Sequence, residues 1–243
     1  MDQKFIIDPP TNDQARLTGQ DAKHISRILR AAPGDTLLLT DGQGTDYRGT
    51  IQEIQKDGVS IKIDQTEPSR TESPLKLTLC NGMLKHQKME SLIPALNQLG
   101  VSQWIPFQCR YAISNPDEKR MKKRLDRWQT IVKESLKQCR RSRLMEISSP
   151  VSFKGVLDHA RDYDHKIAFW ESSTTPLSEL TPLGKSGETA IILIGPEGGF
   201  SAEEMALAEA AGFKTYSLGP RILKAETATL TAASLAQHFL GDL

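Results

Sequence analysis

Two short loops near the carboxyl end of this 243-residue chain combine the residue types that do chemistry. The first, Gly195-Pro-Glu-Gly-Gly199, follows the apolar run Ala190-Ile-Ile-Leu-Ile194 and precedes Ser201 and Glu204. Glycine lets backbone N–H and C=O groups approach a ligand with no Cβ in the way. Open α/β sheets bind ligands at such strand ends. Glu197 would repel a phosphate, and no Lys-Ser/Thr follows as in a P-loop, so a hydroxyl-rich or cationic ligand fits better. A plain strand-to-helix turn requiring positive φ uses the same residues.

The second loop, Gly219-Pro-Arg-Ile-Leu-Lys-Ala-Glu226, again joins a strand to a helix. Two Gly-Pro loops after two strands make a crevice with apolar and backbone walls, a common way to hold an adenine ring. Glu226 equally suits the positive end of the last helix. Other chemistries lack their residues. Gly42-Gln-Gly44 precedes a strand, so it does not open a dinucleotide fold. H-E-x-x-H, C-x-x-C and G-x-S-x-G do not occur, and His24, His86, His159, His165 and His238 show no ligand spacing. Metal and covalent-nucleophile chemistry are therefore unsupported.

These loops need a scaffold. From Leu75 onward strands alternate with helices. The strands are Leu75–Cys80, Val101–Phe107, Lys166–Trp170, Thr189–Ile194 and Lys214–Leu218, and the helices run over about 85–99, 117–139, 153–161, 202–211 and 226–240. The continuous apolar run at 190–194 predicts a strand covered on both faces, hence an α/β domain with a largely parallel sheet. Ser201 with Glu204 three residues on is a capping-box pattern. Pro94 predicts a kink or break in its helix. The first seventy residues read as short strands with tight turns, which suggests a small β-barrel. One helix, Asp21 to Arg30, interrupts them, with Ala22, Ile25, Ile28 and Leu29 inward and His24, Arg27 and Arg30 outward. The Pro- and hydroxyl-rich stretch 66–74 marks the boundary, giving domains 1–70 and 74–243.

Composition bounds the class. The chain is 38% hydrophobic and 25% charged, with no apolar run near the roughly 20 residues of a membrane span. The N-terminus lacks a signal-peptide core, so a cytoplasmic location is expected. Three cysteines about thirty residues apart suit neither disulfides nor zinc and are expected to be ordinary thiols. The net charge of +1 hides an asymmetry: Lys119–Arg143 holds eleven Lys/Arg against two acids, a local +9 that leaves −8 elsewhere. Such a segment suits a polyanion contact, or else a solvated helix face.

Leu193-Ile-Gly-Pro-Glu-Gly-Gly199 with Leu218-Gly-Pro-Arg-Ile-Leu-Lys-Ala-Glu-Thr-Ala228 resembles the paired motifs of the RsmE family, SPOUT-superfamily methyltransferases of N3 of a uridine in 16S ribosomal RNA. His24-Ile-Ser-Arg-Ile-Leu-Arg30 with Pro33-Gly-Asp35 is similar to the family's PUA-like RNA-binding barrel. Lys88-Met-Glu90, Leu99-Gly-Val101 and Gln138-Cys-Arg-Arg-Ser-Arg143 resemble its intermediate motifs. The resemblance implies a catalytic domain threaded into a trefoil knot, bound S-adenosylmethionine and a homodimer. It implies a cofactor pocket of Ile194, Gly195, Glu197, Gly198 and Gly199, with Leu218, Gly219, Ile222 and Leu223 as the other wall. The chain departs from the family pattern at Ala95, Gln98, Lys137, Arg140, Lys224 and Ala225.

Under that resemblance Arg221 is the candidate for stabilising a uridine anion, since guanidinium stays protonated. Glu226 would take the N3 proton or orient Arg221, unless water serves. His24, Arg27 and Arg30, with Arg140, Arg141 and Arg143, are the candidate phosphate contacts to 16S ribosomal RNA or the small ribosomal subunit. Neither membrane nor metal is expected. The competing readings are a methyltransferase with another target atom, a non-catalytic RNA-binding homologue, and an unrelated nucleotide-using α/β enzyme.

Overall fold

A computed structural model describes residues 3–112, 117–180 and 187–243. The chain divides into two compact units, Met1–Glu72 with Lys133–Leu144, and Ser73–Val132 with Met145–Leu243.

In the first unit the strands are β1 (Lys4–Ile6), β2 (Gln14–Thr18), β3 (Thr36–Thr40), β4 (Thr45–Ile54) and β5 (Gly58–Pro68). They form one sheet in the order β1-β3-β4-β5-β2, parallel only at β1–β3. No ladder joins the outer strands among the described residues. Alternation in β5 buries Val59, Ile61 and Ile63 over Phe5, Ile25, Leu37 and Leu39. Helix α1 (Gly19–Lys23) runs into a π-helical turn at His24–Ile28. There Leu29 N–H reaches back to the His24 carbonyl, and the wider turn rotates Ile28 away from the core. Ile28, expected inward, is 69% exposed.

The stretch Lys133–Leu144 is tied into this unit by charge. Lys4 Nζ, buried, donates to Asp46 Oδ1 at 2.8 Å, to the Arg140 carbonyl at 2.8 Å and to Ser142 Oγ at 2.6 Å. Ser142 Oγ also donates to Asp46. Arg141 grips Glu72 Oε2 through Nε at 3.1 Å and Nη2 at 2.8 Å, while Glu72 Oε1 accepts from the Ser142 and Arg143 backbone N–H groups. The expected linker therefore holds Glu72, the carboxylate partner of the buried Arg141, and its first residues, Thr66–Pro68, belong to β5.

The second unit is an all-parallel sheet. Its strands are β6 (Lys76–Gly82), β7 (Gln103–Gln108), β8 (Glu146–Ile147), β9 (Val151–Ser152), β10 (His165–Phe169), β11 (Thr189–Ile194) and β12 (Lys214–Tyr216). The order is β12-β10-β11-β6-β7-β8, with β9 also on β7. Helices are α2 (His86–Gln98), α3 (Glu118–Cys139, whose last turns belong to the first unit), α4 (Phe153–His159), α5 (Ala202–Ala210) and α6 (Ala225–Leu240). The central strand β11 is buried along Ala190–Ile194, as its apolar run requires. Helix α2 continues through Pro94, because Met89, Leu92, Ile93 and Leu96 bury its inner stripe on both sides of the proline. Trp104 of β7 and Trp128 of α3 pack with ring centroids 5.4 Å apart.

Breaking a buried ion pair by removing one partner is strongly destabilising. Glu72→Ala should therefore cost the first unit about 3 kcal/mol, seen as a lower urea midpoint for the transition that unfolds it.

Candidate functional site

A cleft of about 1280 Å³ opens at the carboxyl edge of β10, β11 and β12 in the second unit. Its walls are the loop after β11 and the loop between β12 and α6, and every residue expected in the pocket lines it: Ile194, Gly195, Glu197, Gly198, Gly199, Leu218, Gly219, Ile222 and Leu223. Arg221 and Glu226 line it as well.

Local chemistry shapes these walls. The helix after the first loop starts on a capping box, with Ser201 Oγ accepting from Glu204 N–H at 3.2 Å and Glu204 Oε2 accepting from Ser201 N–H at 2.9 Å. Gly199 has φ +70°, the left-handed region that favours glycine, and its bare Cα faces the carboxylate end of Glu171. Gly82, at the end of β6, lies under the Gly195-Pro196 turn: a Cβ on it would come 2.6 Å from Pro196 N. The neighbouring Asn81 is buried, donates to Thr229 Oγ1 at 3.0 Å and accepts from Trp104 Nε1 at 3.4 Å. Thr229 bonds in turn to the Ala225 carbonyl at 2.7 Å, which fixes the first turn of α6 and Glu226 with it.

The electrostatic centre is Lys88, on the first turn of α2. Its Nζ lies 3.1 Å from Glu197 Oε1 and 3.1 Å from Glu226 Oε2, so one ammonium joins the two loops. The hydrogen bonds to Glu197 and then Glu226 hold the Lys88 pKa above its ordinary value. Burial pushes the Glu226 carboxyl up, but its own backbone N–H and Lys88 outweigh this and leave it below the ordinary range. Glu226 meets Lys88 rather than Arg221, and no ion pair joins Glu226 to Arg221 among the described residues, so orientation of Arg221 by Glu226 is not part of this geometry. Arg221 is exposed, and Ile222 is 91% exposed within the cleft lining.

The charged lining comprises three cations, Lys88, Arg221 and Lys224, and three carboxylates, Glu171, Glu197 and Glu226. A ligand carrying both signs of charge beside an apolar body fits that set. Burial raises the thiol pKa at Cys80, and at Cys109 raises it to about 11, so both stay protonated at neutral pH. Among the described residues no group of side chains could hold a metal ion, and no helix is long and apolar enough to cross a membrane.

Comparison with known proteins decides the family. The RNA methyltransferase domain model matches residues 71–237, and the RNA methyltransferase PUA domain model matches residues 17–64. The chain belongs to the RNA methyltransferase family. It is 32% identical over 228 residues to ribosomal RNA small subunit methyltransferase E of Bacillus subtilis (strain 168), covering 91% of this chain and 89% of that one. With the enzyme of the same name from Buchnera aphidicola subsp. Schizaphis graminum it shares 30% identity, over 96% of this chain and 93% of the relative. The crystal structure of ribosomal RNA small subunit methyltransferase E from Neisseria gonorrhoeae bound to S-adenosyl methionine superposes with a TM-score of 0.87 at 26% identity, covering 99% of each chain.

In this methyltransferase the expected RNA contacts lie in the first unit and divide into two groups. Arg27, Arg30, Arg140 and Arg143 are exposed. His24 is half-buried against Phe5, with ring centroids 6.1 Å apart. Arg141, expected to track phosphates, is buried at 4% exposure and engaged with Glu72, so its charge is used inside the unit. Lys137, another member of the basic run, is likewise buried, 2.7 Å from Asp21 and 2.9 Å from Glu134. Lys88, Trp170 and Glu171 are among the cleft residues that were not named as candidate site residues. The Lys88-Met-Glu90 motif was the available signal, but a sequence cannot say which carboxylates a lysine meets.

The Lys88 bridge makes a titration prediction. A carboxyl held below its ordinary pKa contributes stability that is present at higher pH and lost as pH falls through the lowered value. In Lys88→Met the Glu226 midpoint should rise from its wild-type position, followed by carboxyl-carbon NMR against the ordinary glutamate value of about 4.3. The wild-type midpoint should lie below that value.

Proposed function

We propose that this protein transfers a methyl group from S-adenosylmethionine to N3 of a uridine in 16S ribosomal RNA of the small subunit. The observation that carries this reading is the single cleft lined by both Gly-Pro loops and crossed by the Lys88 bridge. S-adenosylmethionine supplies an electrophilic methyl group on a sulfonium. Its charges of both signs suit the mixed lining, and the exposed Ile222 with Leu218 and Leu223 offers apolar surface for an adenine ring.

The protein's work is positioning and charge control. Uracil N3 carries a proton and becomes a nucleophile as that proton leaves. Arg221, exposed in the cleft and permanently charged, stabilises the uridine anion. Glu226, already ionised and held there by Lys88, is a weak proton acceptor. Its part is to fix Lys88 and the start of α6, and solvent takes the proton.

N3 lies on the Watson–Crick edge, so the target must be unpaired or pulled from its stack. In this reading the PUA-like unit holds the RNA backbone through His24, Arg27, Arg30, Arg140 and Arg143, and Arg141 supports that surface from inside. A cytoplasmic homodimer and a knotted path for the C-terminal chain belong to the same reading.

Single-turnover methylation of unmethylated small ribosomal subunits tests it. Arg221→Ala should slow transfer about 100-fold or more while S-adenosylmethionine affinity, measured by calorimetry, stays within a few-fold. Normal turnover would remove Arg221 from the mechanism, and absence of cofactor uptake by the wild type would remove the reading. Wild-type affinity for the subunit should also fall steeply between about 50 and 200 mM salt, and a double Arg27→Ala/Arg30→Ala variant should flatten that slope.

A further inference from the structure

We infer that Tyr111, with Arg110 laid over it, is a stacking platform for an unpaired nucleobase flanking the methylated nucleotide. The inference rests on the RNA-methyltransferase reading above and adds a residue for recognising the substrate.

Tyr111 is 50% exposed, whereas the neighbouring aromatic residues Phe107 and Phe200 are buried in the core. Its exposure leaves ring surface within reach of a planar ligand, and the chemistry of its neighbours says what that ligand would be. The Arg110 guanidinium lies 5.7 Å from the ring centroid, which adds a cationic plane to the aromatic one. Unpaired RNA bases are bound by stacking on aromatic rings and on Arg planes.

Position ties the pair to the reaction. A Cβ on Gly198 would come 2.7 Å from Tyr111 Cβ, so Tyr111 sits directly against the loop that forms one wall of the cleft. The pair is also anchored. Arg110 N–H donates to Glu204 Oε1 at 2.8 Å, and Arg110 Nη1 donates to Glu203 Oε2 at 3.2 Å. Glu204 is the residue whose other oxygen closes the capping box of α5. One carboxylate therefore sets both the helix after the glycine loop and the backbone that presents Tyr111. A preorganised ring at the rim of the cleft loses little entropy on meeting a base. Tyr111 does not line the cleft itself, which places the stacked base beside the target nucleotide and leaves the cofactor contacts to the loops.

Binding of unmethylated small ribosomal subunits by Tyr111→Ala and Tyr111→Phe, with S-adenosylmethionine affinity measured in parallel, tests the platform. Tyr111→Ala should weaken subunit binding about tenfold. Cofactor affinity and the slope of affinity against salt should match wild type, since no phosphate contact is lost. Tyr111→Phe, which keeps the ring, should bind within about twofold of wild type. Unchanged subunit binding by Tyr111→Ala would overturn the platform, as would an equal loss in Tyr111→Phe or a matching loss of cofactor affinity. Failure of the wild-type protein to methylate the subunit would instead strike the underlying reading.

Discussion

The cleft depends on a contact between two pieces of backbone, Gly82 at the end of β6 and Pro196 in the turn after β11. These strands are parallel neighbours in register, with Ile194 opposite Asn81, so their carboxyl ends emerge side by side. The turn then folds across the end of β6 so closely that a Cβ at Gly82 would sit 2.5 Å from Pro196 Cδ. The closed proline ring and its backbone N cannot yield as a flexible side chain would, and this packing fixes where the loop carrying Glu197 begins. One residue earlier, Asn81 turns into the core and binds Thr229, so the same strand end also positions α6. Two loops distant in sequence thus share one support.

Once both loops are placed, the electrostatics follow. Glu197 and Glu226 approach the same point from different elements, and two carboxylates so placed would repel without a cation. Lys88, on the first turn after β6, supplies it at 3.1 Å from each. The bridge is about one-third exposed, so its worth lies in geometry more than in net stabilisation. It also separates roles among the charged residues of the cleft. The two bridged carboxylates are spoken for by Lys88, while Arg221 stays open to a ligand.

Much of this organisation was legible in the sequence for physical reasons. A strand buried on both faces must be continuously apolar, and Ala190–Ile194 is; a capped helix start must carry a hydroxyl and a carboxylate at the right spacing, and Ser201 and Glu204 do. Those signals are local, so the placement of the glycine loop between β11 and α5 followed from them. What was illegible was non-local or fine-grained. The π-helical turn at His24–Ile28 moves one residue's direction without altering the apolar pattern, so Ile28 read as core. Strand β2 has only Leu17 buried, an alternation too weak to announce itself. The Lys88 bridge joins positions 138 residues apart, which no window along the chain can contain.

The basic run from Lys119 to Arg143 shows why charge alone identifies a surface poorly. A cluster of cations lowers its energy either by meeting a polyanion or by meeting carboxylates of its own chain. Lys137 with Asp21 and Arg141 with Glu72 take the second course, each partner lying more than sixty positions away. Two side chains that resemble their neighbours in sequence therefore do structural work, holding Lys133–Leu144 in the first unit. Arg140 and Arg143 flank them on exposed positions of the same stretch. Arg140 takes positive φ at 61°, and its carbonyl is held by Lys4 and Thr71. Alternation of buried and exposed arginines over four residues thus needs the internal pairs first: they set the backbone on which the outward charges stand. Removing an inward cation would therefore act first through the fold of this unit.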